Sequence, residues 1–235
     1  MIDARERLIV ALDVPTAGEA RELVAQLDGL VSFFKVGLEL YTAAGPDFVR
    51  GLVSDGEKVF LDLKFLDIDE TVKRATESVS RLGATFLTVH ESGRAVAAAV
   101  DGCRAGDLKI LAVTVLTSLD TADIREMGMT CSVEELVLQR AKRAIAAGCH
   151  GVVASGQEAR KIRALDARVI IVTPGIRPAG ADKHEQKRAT TPTEAIQAGA
   201  DYLVVGRPIT RASNPRDAAM KIVEEMQRAF DSLGK

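Results

Sequence analysis

Short apolar runs alternate with longer amphipathic, Ala-rich segments along the chain. Nearly every residue in a run is apolar and many are β-branched, which is typical of a strand buried on both faces. Such strands, when helices separate them, build a parallel sheet. Eight runs predict eight strands, one for every ~29 residues. They occupy residues 8–13, 33–38, 58–63, 85–90, 108–116, 150–154, 168–173 and 201–206.

The segments between the runs carry helix signals. A Ser or Thr followed three residues later by Glu is a capping box, Pro is favoured in the first turn, and Gly ends many helices. Starts are predicted at Thr16, Ser132, Thr191 and Asn214, and ends at Gly148 and Gly199. Eight strand–helix units predict the α/β class and a (β/α)8 TIM barrel, with residues 1–235 as a single domain. The alternative is a doubly wound open sheet, which is less favoured because no Gly-x-Gly-x-x-Gly or P-loop motif follows a run.

Composition narrows the class of protein. Of the 235 residues, 47% are hydrophobic, and 31 basic against 33 acidic residues give a net charge of −2. These values exclude a disordered chain and argue against binding to a nucleic acid polymer. No apolar run approaches the ~20 residues of a membrane-spanning helix, and the charged amino terminus does not resemble a signal peptide, so we expect a cytoplasmic protein. Cys103, Cys131 and Cys149 lack zinc or disulfide spacing and are expected to be neutral thiols.

Charged residues stand at the carboxyl ends of the first three runs, where barrel enzymes place their chemistry. Asp13 ends the first run, Lys35 lies inside the second, and Asp62 and Lys64 end the third. Because side chains alternate along a strand, Asp62 and Lys64 are expected to share a face, and Lys35 on the neighbouring strand can join them. A structural ion pair at the barrel top is the alternative. Since buried ion pairs are poor stabilisers, an acid–base array is better explained by function.

Asp67 follows the same run, and the residues alone leave its role open. It could belong to this array, or it could cap the next helix, since Glu70 lies three residues later. Thr71 lies one turn after Asp67 and would share its helix face, although a Thr exposed to solvent is equally ordinary. His90 and His150 are expected to be hydrogen-bonded residues of the fold, because no second ligand stands at metal-binding spacing.

A second group of polar residues lies near the carboxyl terminus. The seventh run leads into Pro174, Gly175 and Arg177, and then into a polar stretch that includes Gln186 and ends at Arg188. A connection this long without helical periodicity suggests a mobile lid. The eighth run ends in Gly206 and Arg207. Loops after the last two strands of a barrel commonly bind phosphate, which predicts a phosphate site here; an ordinary turn is the alternative.

Six motifs, in order along the whole chain, closely resemble the orotidine 5′-phosphate decarboxylase family. The acid–base core of the third motif is shared with a wider set of sugar-phosphate decarboxylases and aldol-type synthases. The second motif and the Gln-Lys-Arg stretch point to the orotidylate branch. The motifs are residues 11–13 (ALD), 34–37 (FKVG), 60–67 (FLDLKFLD), 113–118 (VTVLTS), 173–177 (TPGIR) and 205–209 (VGRPI).

The resemblance implies a homodimeric barrel that converts orotidine 5′-monophosphate to uridine 5′-monophosphate and CO2, in pyrimidine biosynthesis, without metal or organic cofactor. It implies a catalytic array of Lys35, Asp62 and Lys64, completed by Asp67 of the partner chain, with Lys64 as the proton donor. The implied substrate-binding residues are Asp13, Lys35, Thr71 (from the partner chain), Thr117, Arg177, Gln186, Gly206 and Arg207.

One segment departs from the family pattern. Leu66, Asp69 and Glu70 stand where the family commonly has His, Pro and Asn, so the helix entry and subunit contact beside Asp67 are expected to differ. Two other functions fit part of the sequence. A sugar-phosphate lyase or decarboxylase of the wider set would need Mg²⁺ and an acidic residue in place of Lys35. A non-catalytic binder of a phosphoribosyl ligand would bind nucleotide without turnover.

Overall fold

Parallel strands, each hydrogen-bonded to the next in chain order, close into a barrel because the last strand also pairs with the first. The computed structural model describes residues 2–92, 94–104, 106–178 and 188–234. The predicted (β/α)8 barrel is confirmed, and the open doubly wound sheet is wrong. Strands β1 to β8 comprise Leu8–Ala11, Phe33–Gly37, Lys58–Phe65, Phe86–His90, Lys109–Val113, Gly151–Val153, Ile170–Thr173 and Tyr202–Val205.

Helices follow the strands and cover the outside of the barrel. No helix in the described part of the chain is long and apolar enough to cross a membrane. Helix α2 is kinked at Gly45, whose φ of 68° is left-handed, and Pro46 follows it. Helices α1 to α10 comprise Ala17–Leu27, Leu38–Ser54, Asp69–Ser80, Ala95–Gly102, Thr121–Glu126, Val133–Ala146, Gly156–Leu165, Pro192–Gln197, Arg207–Thr210 and Pro215–Ser232; Ala4–Glu6 forms a short 3-10 turn.

The predicted helix boundaries are confirmed. Side chains of Thr16, Ser132, Thr191 and Asn214 each accept a hydrogen bond from the backbone N–H three residues later. The reciprocal bond of a full capping box forms at Ser132 and Thr191, whereas the carboxylate of Glu19 accepts from the Thr16 hydroxyl instead. Each such cap stabilises its helix by about 1 kcal/mol.

The barrel interior is filled by an aromatic layer. Phe33, Phe60 and Phe86 come from β2, β3 and β4 and are almost fully buried, and the ring centroids of Phe33 and Phe86 lie 5.2 Å apart. Tyr202 of β8 meets Phe86 edge-on at 5.2 Å. Residues two positions further along a strand face the same way. The next inward layer toward the carboxyl ends therefore consists of Lys35, Asp62 and Thr88.

Two of the three cysteines behave as expected of neutral thiols. Cys103, Cys131 and Cys149 are all free. Burial raises the pKa of the Cys149 thiol to about 12 and also raises the pKa of Cys103. The thiols of Cys103 and Cys149 are therefore protonated at neutral pH.

Candidate active site

Four charged side chains, one just after β1 and three from β2 and β3, meet at the carboxyl end of the barrel. The Lys35 ammonium donates to Asp13 Oδ1 at 2.8 Å and lies 3.7 Å from Asp62 Oδ2. The Lys64 ammonium donates to the same Asp62 oxygen at 2.9 Å. Charges thus alternate in the order Asp13, Lys35, Asp62, Lys64, and the predicted pairing of Asp62 with Lys64 and Lys35 is confirmed.

Burial within this array is graded. The side chain of Lys35 is 9% exposed, that of Asp62 is 16% exposed and that of Lys64 is 29% exposed. Burial alone would raise the pKa of Asp62, but the charges of Lys35 and Lys64, with hydrogen bonds from Lys64 and Thr88, hold that pKa below its ordinary value. Asp62 is consequently an anion at neutral pH, flanked by two ammonium groups.

The backbone is irregular where it presents Lys64. Leu61 pairs with Leu87 and Phe65 with Val89, so three residues of β3 face the single residue Thr88 of β4. Lys64 has a φ of 51°, and it is the one non-glycine residue with positive φ in the part of the chain that the structure describes. Bulges and left-handed non-glycine residues concentrate at functional sites, since the surrounding fold must hold them in place.

A cleft of about 610 Å³ opens above the array and is lined by β-strand ends and loops from around the barrel. Its size suits a nucleotide-sized ligand. Its lining combines apolar residues of the strands, the charged array, and a wall of residues that follow β7 and β8. Of the site residues predicted from the sequence, it contains Asp13, Lys35, Asp62, Lys64, Thr117, Arg177, Gly206 and Arg207.

Arg177, in the loop after β7, and Arg207, the first residue of α9, line the same cleft. Arg177 is buried and donates to the carbonyl of Ile176 at 2.8 Å. Two further residues of this wall, Thr210 and Arg211, were missed by the sequence reasoning. Arg211 lies four residues after Arg207, so helical spacing beyond the Gly-Arg-Pro motif could have indicated it.

Asp67 and Thr71 do not join the array of their own chain. Both are exposed, neither lines the cleft, and the Asp67 carboxylate accepts from the backbone N–H of Ile68 at 2.7 Å. The alternative that Asp67 caps the next helix is wrong, because Ile68 is the N-cap residue of α3 and no side chain caps it. The Asp67 carboxylate is thus left at the surface.

Gln186 and the predicted lid fall on residues 179–187, which lie outside the described residues. Arg188, the first described residue after them, was not singled out as a site residue. Its guanidinium is buried, pairs with Glu158 at 2.8 Å and donates to the carbonyls of Val115 and Leu116 at 3.1 Å. These two carbonyls directly precede Thr117, so Arg188 fixes the base of the loop that carries it.

The histidines have structural surroundings. His150 Nδ1 accepts from the backbone N–H of Ile110 at 3.0 Å, as expected of a hydrogen-bonded residue of the fold. His90, two residues beyond Thr88, is half-buried, and burial followed by the charge of Lys64 lowers its pKa. Within the described ranges, no three His, Cys, Asp or Glu side chains are grouped as metal ligands.

The chain is similar in sequence to known proteins over almost its whole length. A family model described as "Orotidine 5′-phosphate decarboxylase / HUMPS family" matches residues 6–222. A protein of Nitrobacter winogradskyi named orotidine 5′-phosphate decarboxylase is 53% identical over 228 residues, covering 97% of this chain and 95% of the relative. One of Afipia carboxidovorans with the same name is 52% identical over 223 residues, covering 94% and 95%.

Solved structures agree in fold. The crystal structure of orotidine 5′-phosphate decarboxylase from Lactobacillus acidophilus superposes with a TM-score of 0.84 at 37% identity, covering 94% of this chain and 99% of that one. An uncharacterized conserved protein from Geobacillus kaustophilus has a TM-score of 0.81 at 35% identity, covering 93% and 99%. The match to the family model, the identity to the named relatives and the charged array together confirm the resemblance: the chain belongs to the orotidine 5′-phosphate decarboxylase / HUMPS family.

Proposed function

We propose a mechanism in which the alternating charges of Lys35, Asp62 and Lys64 drive the reaction of this chain, the decarboxylation of orotidine 5′-monophosphate to uridine 5′-monophosphate and CO2. The observation that carries this proposal is the shared carboxylate of Asp62, which lies 2.9 Å from the Lys64 ammonium and 3.7 Å from that of Lys35. Such an array at the open end of a barrel combines a fixed negative charge with a proton donor.

The chemical demand of the reaction explains why a cation must stand near C6. When the bond between C6 and the carboxylate breaks, CO2 leaves and the electron pair remains on C6 in the plane of the ring. No neighbouring group can delocalise that pair, so it must be stabilised by charge placed in advance. Lys64 meets this demand in the proposal: its ammonium stabilises the carbanion and transfers a proton to C6, and water then reprotonates the amine.

Asp62 has two tasks in the proposed mechanism. Its ionised carboxylate keeps Lys64 and Lys35 oriented through the contacts described above. It also stands where the substrate carboxylate would be repelled, and that repulsion disappears once neutral CO2 has left. The low pKa of Asp62 supports this assignment, because only the anion performs both tasks.

The remaining predicted residues are assigned to binding the nucleotide. We assign Asp13 and Lys35 to the ribose hydroxyls, supported by their mutual hydrogen bond at 2.8 Å beside the cleft. Thr117 is assigned to the edge of the pyrimidine. Arg207 is assigned to the phosphate, with Gly206, Arg177 and Gln186 contributing, because cationic side chains that follow β7 and β8 share one wall of the cleft.

Asp67 and Thr71 are proposed to act in the site of a second copy of this chain. Support comes from their exposure and from the absence of an ion pair within 4.0 Å between Asp67 and Lys64 among the described residues. Leu66 and Ile68 flank Asp67 and are 57% and 71% exposed. Adjacent apolar side chains exposed to this degree often mark a protein interface. In the twofold dimer that we propose, this surface lies at the subunit contact and each Asp67 enters the neighbouring cleft.

A Mg²⁺-dependent sugar-phosphate lyase remains the alternative within the wider set. It would need an acidic residue on β2, where this chain has Lys35 bound to Asp13. The test is turnover of orotidine 5′-monophosphate in the presence of EDTA, compared with turnover of a ketohexose phosphate in the presence of Mg²⁺. We expect the first reaction only. Dependence of the first on added Mg²⁺, or turnover of the sugar phosphate alone, would contradict the proposal.

A further inference from the structure

The hydroxyl of Thr88 contacts both Asp62 and Lys64 of β3. Thr88 lies in the middle of β4 and is fully buried. Its hydroxyl donates to Asp62 Oδ1 at 2.9 Å and accepts a hydrogen bond from the backbone N–H of Lys64, also at 2.9 Å. A single side chain therefore contacts both the acid and the backbone that carries the proton donor.

The bulge in β3 explains why a side chain is needed at this point. Three residues of β3, from Asp62 to Lys64, face Thr88 alone, so the regular ladder of backbone hydrogen bonds is interrupted. A backbone N–H left without an acceptor would be costly at this depth. The Thr88 hydroxyl supplies the acceptor and so holds Lys64 in its left-handed conformation at φ 51°.

The same hydroxyl selects the orientation of the Asp62 carboxylate. With Oδ1 bound to Thr88, the other oxygen, Oδ2, faces both ammonium groups. Rotation of the carboxylate would break the hydrogen bond from Thr88 and turn Oδ2 away from the ammonium groups of Lys64 and Lys35. The orientation of the acid and the position of the donor thus depend on one shared group.

We propose that Thr88 is a positioning residue for the decarboxylation, whose hydroxyl fixes Asp62 and Lys64 relative to each other. Thr88 does not line the cleft, so it acts through these two residues rather than on the substrate. The inference rests on the roles proposed above for Asp62 and Lys64. It predicts that the hydroxyl, and not the volume of the side chain, determines turnover.

The experiment compares Thr88→Val, which removes the hydroxyl at nearly constant volume, with Thr88→Ser, which keeps it. For orotidine 5′-monophosphate we expect the kcat of the Val variant to fall by about 10- to 100-fold with little change in KM, and the Ser variant to stay within about threefold of the unchanged chain. Thr76→Val is the matched control. Thr76 is also fully buried and its hydroxyl donates to the Val72 carbonyl at 2.8 Å, so this variant loses an equivalent bond outside the site and should keep full activity.

The pH profile separates positioning from a merely structural role. The charged or titratable groups near Asp62 are Lys35 from β2, Lys64 from β3 itself and His90 from β4. The hydrogen bond from Thr88 is among the interactions that lower the pKa of Asp62. Its loss should move the acid limb of kcat/KM to higher pH in the Val variant, while Thr88→Ser and Thr76→Val keep the original limb.

Several outcomes would overturn the proposal. Unchanged kcat and an unchanged acid limb in Thr88→Val would show that the hydroxyl positions nothing, and a Ser variant as impaired as the Val variant would show that the hydroxyl is not the cause. If Thr88→Val does not fold, Thr88→Ala is compared with Thr88→Ser instead. Ala lacks the hydroxyl and does not put a second methyl group in its place. Failure of the unchanged chain to decarboxylate the substrate would instead refute the proposed mechanism, and this inference with it.

Discussion

The Lys64 ammonium lies 2.9 Å from Asp62 Oδ2, and the pair stands at a bulge where the backbone of Lys64 is left-handed. Lys35 approaches the same oxygen from the neighbouring strand at 3.7 Å. One carboxylate therefore contacts two cations, and the proposed proton donor depends on strand geometry that a regular ladder would not provide.

Replacing Asp62 with Asn should lower stability in a pH-dependent way. The pKa of Asp62 is lower in the folded chain than its ordinary value, because the charges of Lys35 and Lys64 outweigh the effect of burial. The carboxylate therefore stabilises the fold fully above its unfolded pKa of about 3.9, and this contribution is lost as the pH falls through the folded value. We expect Asp62→Asn to reduce the free energy of unfolding by about 2 kcal/mol near neutral pH, since two ammonium groups lose their shared partner.

Urea unfolding at about pH 7, 5 and 3.5 measures this difference. The difference in unfolding free energy between Asp62→Asn and the unchanged chain should be similar at about pH 7 and 5 and smaller at about pH 3.5. Asp47→Asn is the control. Asp47 forms only a surface ion pair with Arg50 and should contribute little to stability at any of the three pH values. A gap that stays constant into acid would refute the assigned ionisation of Asp62.

Adding a side chain at Gly37 should lower the activity. A Cβ atom at this position would lie 2.9 Å from Lys35 Nζ and 3.1 Å from Asp13 Oδ1. Both contacts involve the ends of side chains, which can shift at small cost to folding but only by moving the ammonium. We expect Gly37→Ala to lower kcat/KM by about tenfold with a change in unfolding free energy below about 1 kcal/mol.

Gly51→Ala is the matched control for that variant, because a Cβ there meets nothing within 4 Å and the residue lies in helix α2. It should leave kcat/KM unchanged and keep or slightly raise stability. Equal kinetics for the two Ala variants would show that the packing of Lys35 against Gly37 has no part in the reaction.

Arg207→Ala tests whether Arg207 binds the phosphate of the substrate. Removing a charge-assisted contact should raise KM and lower kcat/KM by about 10- to 100-fold for orotidine 5′-monophosphate. Orotidine without the phosphate should be converted equally slowly by the variant and the unchanged chain. A loss of the same size with both substrates would place the function of Arg207 elsewhere. Arg228→Ala, which removes only a surface ion pair with Glu224, controls for general effects of charge.

Mixed dimers test whether Asp67 acts across subunits. Lys64→Ala and Asp67→Ala should each be inactive alone. In a heterodimer, one site carries both substitutions and the other carries neither, so random mixing should restore about one quarter of the original activity. Unfolding the two variants together and refolding them, with each refolded separately as the control, allows the measurement. If no activity reappears although gel filtration with distinguishable tags shows heterodimers, Asp67 does not act in the partner's site.

The sequence predicted the strands and helices of the barrel well, but it did not predict the irregularities within the strands. Eight apolar runs located the strands, and the two-residue period predicted that Asp62 and Lys64 share a face that Lys35 can join from the neighbouring strand. The same period assumes a regular ladder, so it could not foresee the bulge at Lys64. Strand β5 also ends at Val113, earlier than its apolar run, because the chain there turns into the loop that carries Thr117.

Other site residues gave no signal or an ambiguous one. Thr88 lies in an apolar run where Thr is an ordinary strand residue, and its contacts with Asp62 and Lys64, on which its proposed role rests, arise only from the facing bulge. Arg188 is one cation in a polar stretch until its buried contacts with Glu158 are known. Asp67 could not be assigned from one chain, since its proposed partner groups belong to another copy.

The central claim is that the Lys64 ammonium delivers the proton to C6, and the kinetics of Lys64→Ala test it most directly. Conversion of orotidine 5′-monophosphate to uridine 5′-monophosphate is measured with EDTA present, and binding of uridine 5′-monophosphate is measured by calorimetry on the same samples. We predict that turnover falls by about a thousandfold or more while the product still binds within about tenfold of the original affinity. Turnover close to that of the unchanged chain would contradict the account.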